Sequence, residues 1–360
     1  MHKKWSLYLG SVSGIKIYIH WTFFILIGWI FLMHFRMGQG LSQGLSGTIF
    51  VLVLFLCVVL HEFGHAITAR RFKIVTRDIT VYPIGGIASL ESMPSDPRQE
   101  LQVALAGPAV NLVIALVLWG YLKATGYPDI WPIRPINLSG SSFIPNLLYA
   151  NIILALFNLI PAFPMDGGRV LRSLLAMKMT HSKATSVAAR TGQLLAIGFV
   201  FFGFFADFWL VFIGLFIFLG AGAEYKSEEI KHTLEGIRAS DVMLSNFITL
   251  HSNDTINEAS KTLLNSNEKS FVVVDNEMVI GILNYKNIID GMNAGNPDQK
   301  VNTFMQRDFQ TYDKDDFLSD KVLMAFHRDQ SLFPVISNGK LVGVITPDNL
   351  YKWIQFNTRN

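Results

Sequence analysis

The sequence predicts an α-helical polytopic membrane domain of about six transmembrane helices with a small β-hairpin, followed by a soluble C-terminal α/β unit made of a tandem repeat. Three observations carry this. The chain is 51% hydrophobic and only 16% charged, with a mean hydropathy of +0.35, which is too apolar for an average soluble protein. The apolar excess sits in residues 1–223. Beyond about residue 237, the sequence repeats itself at a fixed offset of 62.

The basic pair Lys3 and Lys4 opens the chain like a signal peptide. The apolar run that follows, 17–33, is long enough to span and is not followed by a small-x-small cleavage pattern, so it reads as the first membrane helix. Further apolar segments fall at 48–69, 101–122, 146–160, 187–204 and 208–223. The fourth and sixth are short for a hydrocarbon core of about 30 Å. A tight turn at Ala206 and Asp207 joins the last two, and Gly192, Gly198, Gly203 and Gly214 permit close helix packing there.

Charge sets the orientation. With the N-terminus in the cytoplasm, that side receives Lys3, Lys4, Lys16, Arg70, Arg71, Lys73, Arg77, Arg98, Arg169, Arg172, Lys178 and Lys183. The other side receives Arg36, Lys123 and Arg134. By the positive-inside rule both ends face the cytoplasm. The 123–145 loop is then the outer segment long enough to contact an extracytoplasmic partner.

The second apolar segment ends in His61-Glu62-Phe63-Gly64-His65. Residues four apart share a helix face, so His61 and His65 can present two imidazoles to one zinc ion with Glu62 beside them. The full pattern arises by accident in a chain of this length only at roughly the per-cent level. Ionisable groups in an apolar span are expensive and usually functional. A catalytic zinc needs a third protein ligand and a position open to water, whose proton a neighbouring carboxylate can take; Glu62 is the candidate base. At a rise of 1.5 Å per residue, His61 lies about 14 Å beneath the boundary marked by Arg70.

The third ligand should reach the same depth from another segment. Residues 158–168 read Asn-Leu-Ile-Pro-Ala-Phe-Pro-Met-Asp-Gly-Gly, and Pro161, Pro164, Gly167 and Gly168 break the helix. Broken backbone at membrane depth is tolerated only where protein buries it or a wet cavity adjoins it. Asp166 is the candidate ligand; it also suits the N-cap of a helix starting near Arg169, and the two roles are compatible.

Together, His61-Glu62-x-x-His65, the Pro164-to-Gly168 core of the 158–168 stretch, and Gly107-Pro108-x-x-Asn111 resemble the site-2 protease family of intramembrane zinc metalloproteases. The resemblance covers about residues 1–223. It implies hydrolysis of peptide bonds within or near membrane-spanning segments of other proteins, with His61, His65 and Asp166 as zinc ligands and Glu62 as catalytic base. Membrane-anchored substrate proteins and the lipid bilayer are the partners so implied. Asn111 and Asn158 are candidates for lining the substrate cavity, with helix-packing hydrogen bonds as the alternative.

Residues 74–91 carry β-branched side chains on both sides of Pro83 and Gly85-Gly86, which predicts a hairpin beside the metal. A protease binds its substrate extended, so a hairpin edge near Gly85 and Gly86 is a candidate for pairing with it. A plain surface loop is the alternative.

After residue 223 the composition turns polar, giving a linker at 224–236 and two repeat units at 237–292 and 299–356. Met243 matches Met305, Phe247 matches Phe309, Thr249 matches Thr311, Phe271 matches Phe333, Gly281 matches Gly343 and Asn287 matches Asn349. Each unit reads as helix, two short strands (271–274 and 279–283; 333–336 and 341–345), then helix. The units resemble a tandem pair of cystathionine-β-synthase-type (CBS) domains. That resemblance implies an adenine nucleotide held at Thr346 and Asn349. Asn349 stands where the family has Asp, and the first unit has Asn284 and Asn287, so a dimerisation or docking module, including a homodimer through the CBS pair, is the competing expectation.

A net charge of +3 and no basic cluster interleaved with aromatics give nucleic acid nothing to bind. The single cysteine, Cys57, allows no intramolecular disulfide and reads as a packing residue. The alternative functions are a CBS-regulated membrane ion or metal transporter, in which Glu62 merely lines a path, and a catalytically idle scaffold.

Overall fold

The computed structural model describes residues 5–35, 40–83, 85–90, 93–127, 142–295, 298–318 and 330–357. Of the residues used above, Lys3, Lys4, Arg36, Arg134 and most of the 123–145 loop lie outside these. Two compact units divide at Lys226 and Ser227.

The first unit contains β1 (Ser6–Val12), β2 (Ile15–His20), α1 (Trp21–His34), α2 (Gly40–Arg71), β3 (Thr76–Tyr82), β4 (Gly85–Leu90), α3 (Pro97–Ala124), α4 (Phe143–Asn158), α5 (Asp166–Ala176), α6 (His181–Gly203) and α7 (Trp209–Leu234). Among the described residues, four helices are long and apolar enough to cross a membrane, within α2, α3, α6 and α7; α1 and α4 are shorter apolar helices. The division between the units falls inside α7, which continues as helix through Glu224 to Leu234.

The first apolar run is not helical throughout. Its opening residues belong to β2, and helix begins only at Trp21, where the His20 side chain accepts the Thr22 N–H. The reason is legible in retrospect: Ile15, Ile17 and Ile19 alternate with Lys16, Tyr18 and His20, a period-two pattern of β-branched residues. The expected hairpin is present as β3 and β4, antiparallel with Val81 opposite Gly86 and Tyr82 opposite Gly85. It belongs to a larger sheet of order β1-β2-β3-β4, with β2 parallel to β3.

This sheet sits on the helix that carries the His-Glu motif. Ile15 and Ile79 bury against Phe63 and Ala66 of α2, so burial of those apolar side chains fixes β3 and β4 beside Glu62. The α3 helix starts at a proline behind the capping Asp96, and it packs extensively against α2, α4 and α5.

The second unit holds β5 (Thr249–His251), β6 (Ser270–Asp275), β7 (Met278–Asn284), β8 (Tyr312–Asp313), β9 (Phe333–Ser337) and β10 (Lys340–Ile345), in two sheets of order β5-β6-β7 and β10-β9-β8. In both, the first strand runs parallel to the middle one and the last antiparallel to it. The repeats exchange their leading segments. Leu244 bridges to Val344 and Ile282 to Gln306. Met243 caps Gly343 and Met305 caps Gly281, each Met sulfur occupying the room that a Cβ would need. That is why Met and Gly recur together at the offset of 62. Residues 319–329 of the second repeat lie outside the described residues.

Candidate metal centre

His61 and His65 stand one turn apart on α2, both buried, with their Nε2 atoms 3.0 Å apart. Asp166, 101 residues beyond His65, brings its Oδ2 to 3.1 Å from each Nε2. The chain achieves this by folding residues 159–165 back over the start of α5. Ala162, Phe163 and Met165 bury against α6 and α7 side chains, including Ala196, Ile217, Ala188 and Ala221. The reversal is so tight that a Cβ at Gly167 would stand 2.2 Å from the Ile160 carbonyl oxygen, so only glycine fits there. Met165 takes the N-cap position and Asp166 is the first helical residue. Its carboxylate thus lies at the positive end of the α5 dipole, and its Oδ1 is 3.9 Å from Arg169 Nη1.

The protons decide what this cluster can hold. His65 Nδ1 donates to the Val103 carbonyl at 2.7 Å; since a carbonyl only accepts, the His65 proton sits on Nδ1 and Nε2 carries a lone pair. His61 Nδ1 donates likewise to Asn111 Oδ1 at 2.5 Å. Two imidazole lone pairs and a carboxylate oxygen therefore face one point with no proton between them. In a buried setting such a trio calls for a cation. Three donors each about 2.0–2.1 Å from a tetrahedral zinc would lie about 3.3 Å apart, close to the 3.0 and 3.1 Å observed. The residues fit the metal. They are the one His/Cys/Asp/Glu cluster of this kind among the described residues.

Room for the cluster comes from α3. A Cβ on Gly107 would stand 2.2 Å from His65 Nε2 and 2.5 Å from His61 Nε2. A cavity of about 330 Å³ adjoins the site, lined by His61 and Glu62 together with Gly85, Gly86, Asn111 and Asn158. The expected pairing edge, Gly85 and Gly86, and the expected lining residues Asn111 and Asn158 all border this one cavity. Asn158 also donates to the Leu154 carbonyl at 2.9 Å. A Cβ on Gly86 would press to 2.9 Å from Glu62 Cγ, so β4 lies directly against the candidate base.

Thr346 and Asn349 belong to the other unit and serve each other. Asn349 Oδ1 accepts from Thr346 N at 2.7 Å, Thr346 Oγ1 accepts from Asn349 N at 3.2 Å, and Asn349 Nδ2 donates to the Val242 carbonyl. Asn284 and Asn287 form the same cap in the first repeat.

Sequence reasoning passed over two features. Asn151, wholly buried on α4, accepts from Asn111; an amide in the middle of an apolar helix was the available signal. Arg172, counted above only for its charge, is buried and paired with the buried Glu100 and with Glu224.

Comparison with known proteins agrees with this geometry. The family profile described as Peptidase family M50 matches residues 49–128 and 134–202, and the CBS domain profile matches 239–294 and 301–355. Zinc metalloprotease MJ0392 of Methanocaldococcus jannaschii is 29% identical over 97% of this chain and 96% of its own length. The Synechocystis protein sll0528 is also 29% identical, over 97% of this chain and 96% of its own. Among solved structures, the site-2 protease from M. jannaschii shares 35% identity, covering 61% of this chain and 95% of that one, with a TM-score of 0.45. None of these similarities favours a transporter. A membrane chain with this cluster, these profiles and full-length metalloprotease relatives belongs to the site-2 protease family, peptidase family M50, as a zinc metalloprotease that carries a pair of CBS domains.

Proposed function

We propose that the chain hydrolyses peptide bonds within or beside the transmembrane segments of membrane-anchored proteins, with His61, His65 and Asp166 holding zinc and Glu62 acting as general base. The observation that carries this is the convergence of three buried acceptor atoms next to Glu62, at the wall of a cavity inside an apolar unit. Zinc, when bound, supplies Lewis acidity, polarising a carbonyl and acidifying water near neutral pH.

Glu62 takes the proton of the attacking water and returns it to the departing amine nitrogen, so it must change protonation state within one turnover. The apolar wall of the cavity strengthens every charge interaction inside it. Substrate lies extended along β4, near Gly85 and Gly86, because helical backbone would hide the scissile carbonyl in its own hydrogen bonds; β4 ends the sheet order, which supports this reading. Asn111 and Asn158 line the same cavity, with the polar atoms of Asn111 engaged by His61 and Asn151.

Both termini and the CBS pair face the cytoplasm on this reading, with the metal about 14 Å beneath that surface. Residues 1–223 form the protease domain, 224–236 connect, and 237–292 and 299–356 form a regulatory or docking pair. Adenine nucleotide is the ligand class for that pair and a homodimer its mode of association. Titration of AMP and ATP into the purified chain, with Thr346→Ala beside it, tests the nucleotide; loss of binding in the variant is expected.

The main test incubates the detergent-purified protein with a membrane-anchored substrate, alongside Glu62→Gln. Cleavage by the wild type alone is expected. Cleavage retained in the variant would remove the proposed base, and zinc flux into sealed vesicles reconstituted with the same protein, without cleavage, would favour transport.

A further inference from the structure

We infer that Asn151, which touches neither the metal ligands nor the cavity, is a positioning residue that sets the tautomer of His61; this rests on the metal-site reading above. Asn111 and Asn151 have no solvent exposure, so each polar atom must find its partner within the protein. The chain of partners begins at a backbone carbonyl. Asn151 Nδ2 donates to the Leu147 carbonyl at 2.8 Å and lies 3.6 Å from Cys57 Sγ.

A carbonyl can only accept, so the nitrogen end of the Asn151 amide is committed to it and the oxygen end is left facing α3. There Asn151 Oδ1 accepts from Asn111 Nδ2 at 2.9 Å. The Asn111 amide is thereby fixed in turn, with Oδ1 toward His61 Nδ1. An amide flipped about its axis would present Nδ2 to His61 instead. The imidazole would then carry its proton on Nε2, which cannot ligate a metal. Polarity thus passes from Leu147 through two amides to His61, and the lone pair on Nε2 is its outcome.

His65 needs no such relay, because the Val103 carbonyl reads its Nδ1 directly. The two ligands of α2 are held in the same tautomer by unlike devices. The relay ties α2, α3 and α4 together at the depth of the metal, which gives a buried amide in the middle of an apolar helix a reason to be there.

The test measures zinc affinity by chelator competition on the detergent-purified full chain, with size exclusion and circular dichroism to report folding. Asn151→Leu releases the Asn111 amide and lowers zinc affinity about 10–100-fold, the range found when outer partners of metal-ligating histidines are removed. Asn111→Asp offers His61 a carboxylate, either of whose oxygens accepts, but its second oxygen then faces Asn151 Oδ1, acceptor against acceptor, in place of the Asn111 N–H. Asn151→Leu removes that opposing oxygen, so the double variant Asn111→Asp/Asn151→Leu binds zinc at least as tightly as Asn111→Asp alone. A role in packing only would leave zinc affinity unmoved by Asn151→Leu, or would add the same loss to Asn111→Asp, and either result overturns the relay. If Asn151→Leu does not fold, Asn151→Ala enters the same comparison. A wild-type chain that binds no zinc, or binds it equally well as His61→Ala, would instead overturn the metal-site reading itself.

Discussion

Gly107 and His65 meet with no space for another atom: a Cβ at position 107 would stand 2.2 Å from the His65 Nε2 and 2.5 Å from that of His61. Gly107→Ala therefore pushes a methyl group into the metal position while leaving α3 with a better helix former than before. Zinc content measured by mass spectrometry should fall well below one per chain, with helical content by circular dichroism unchanged. Full zinc occupancy in this variant would mean that the imidazoles swing aside, and that the cluster is looser than its contacts indicate.

Removing the proposed base without removing the proposed metal ligands separates two roles of the motif. Glu62→Gln keeps the side-chain volume and the three ligand atoms, so zinc content should stay near the wild-type value. Turnover should drop by about 100-fold or more, the usual loss when a positioned general base is removed. A parallel loss of zinc would place Glu62 in metal binding instead.

The two glycines of β4 predict unlike defects. A side chain at Gly86 meets Glu62 Cγ at 2.9 Å and Val58 Cγ1 at 3.4 Å, so Gly86→Val should displace Glu62, the proposed base, and lower kcat whether or not β4 binds substrate. Gly85 has a positive φ of 138° and open space around its Cβ direction. Gly85→Ala strains the backbone of the strand without touching Glu62. If substrate pairs with this edge, Gly85→Ala raises KM with kcat little changed, the signature of lost ground-state binding. A KM equal to the wild type would count against pairing.

The His61, His65 and Asp166 cluster was readable because its chemistry is written locally: a four-residue spacing on one helix and a helix break followed by Asp166. Asn111 and Asn158 came with the motif stretches, and Gly85 and Gly86 with the hairpin expected over residues 74–91. What escaped were features that depend on partners distant in sequence. Nothing near Asn151 announces that its oxygen faces Asn111 forty residues earlier on another helix. The strands β1 and β2 were hidden for a different reason, since Ile15, Ile17 and Ile19 run without a break into the apolar face of α1 and the hydropathy sum does not register a change of period. Arg172 counts equally toward topology whether it snorkels to water or is buried, and only the fold shows that it is buried.

That burial yields the last prediction. Arg172 is 3% exposed and its partner Glu100 is 1% exposed; Arg172 donates through Nε and Nη2 to Glu100 Oε1 and through Nη1 to Glu224 Oε1, and its guanidinium lies 5.1 Å from the Phe163 ring centroid. The group therefore joins α3 and α7 to the helix that begins with Asp166. Arg172→Met removes the guanidinium and leaves the buried Glu100 carboxylate with His181, whose Nε2 is 3.6 Å from Oε2, as its remaining polar partner. Breaking a buried pair from one side costs about 3–5 kcal/mol, whereas replacing both partners by apolar groups is often neutral or stabilising. In SDS-titration unfolding, Arg172→Met should show a loss of that order, and Arg172→Met/Glu100→Leu should recover much of it even though two charges are gone. Equal losses in the single and double variants would mean that the pair holds the helices together through its hydrogen bonds, and not merely that each charge needs the other.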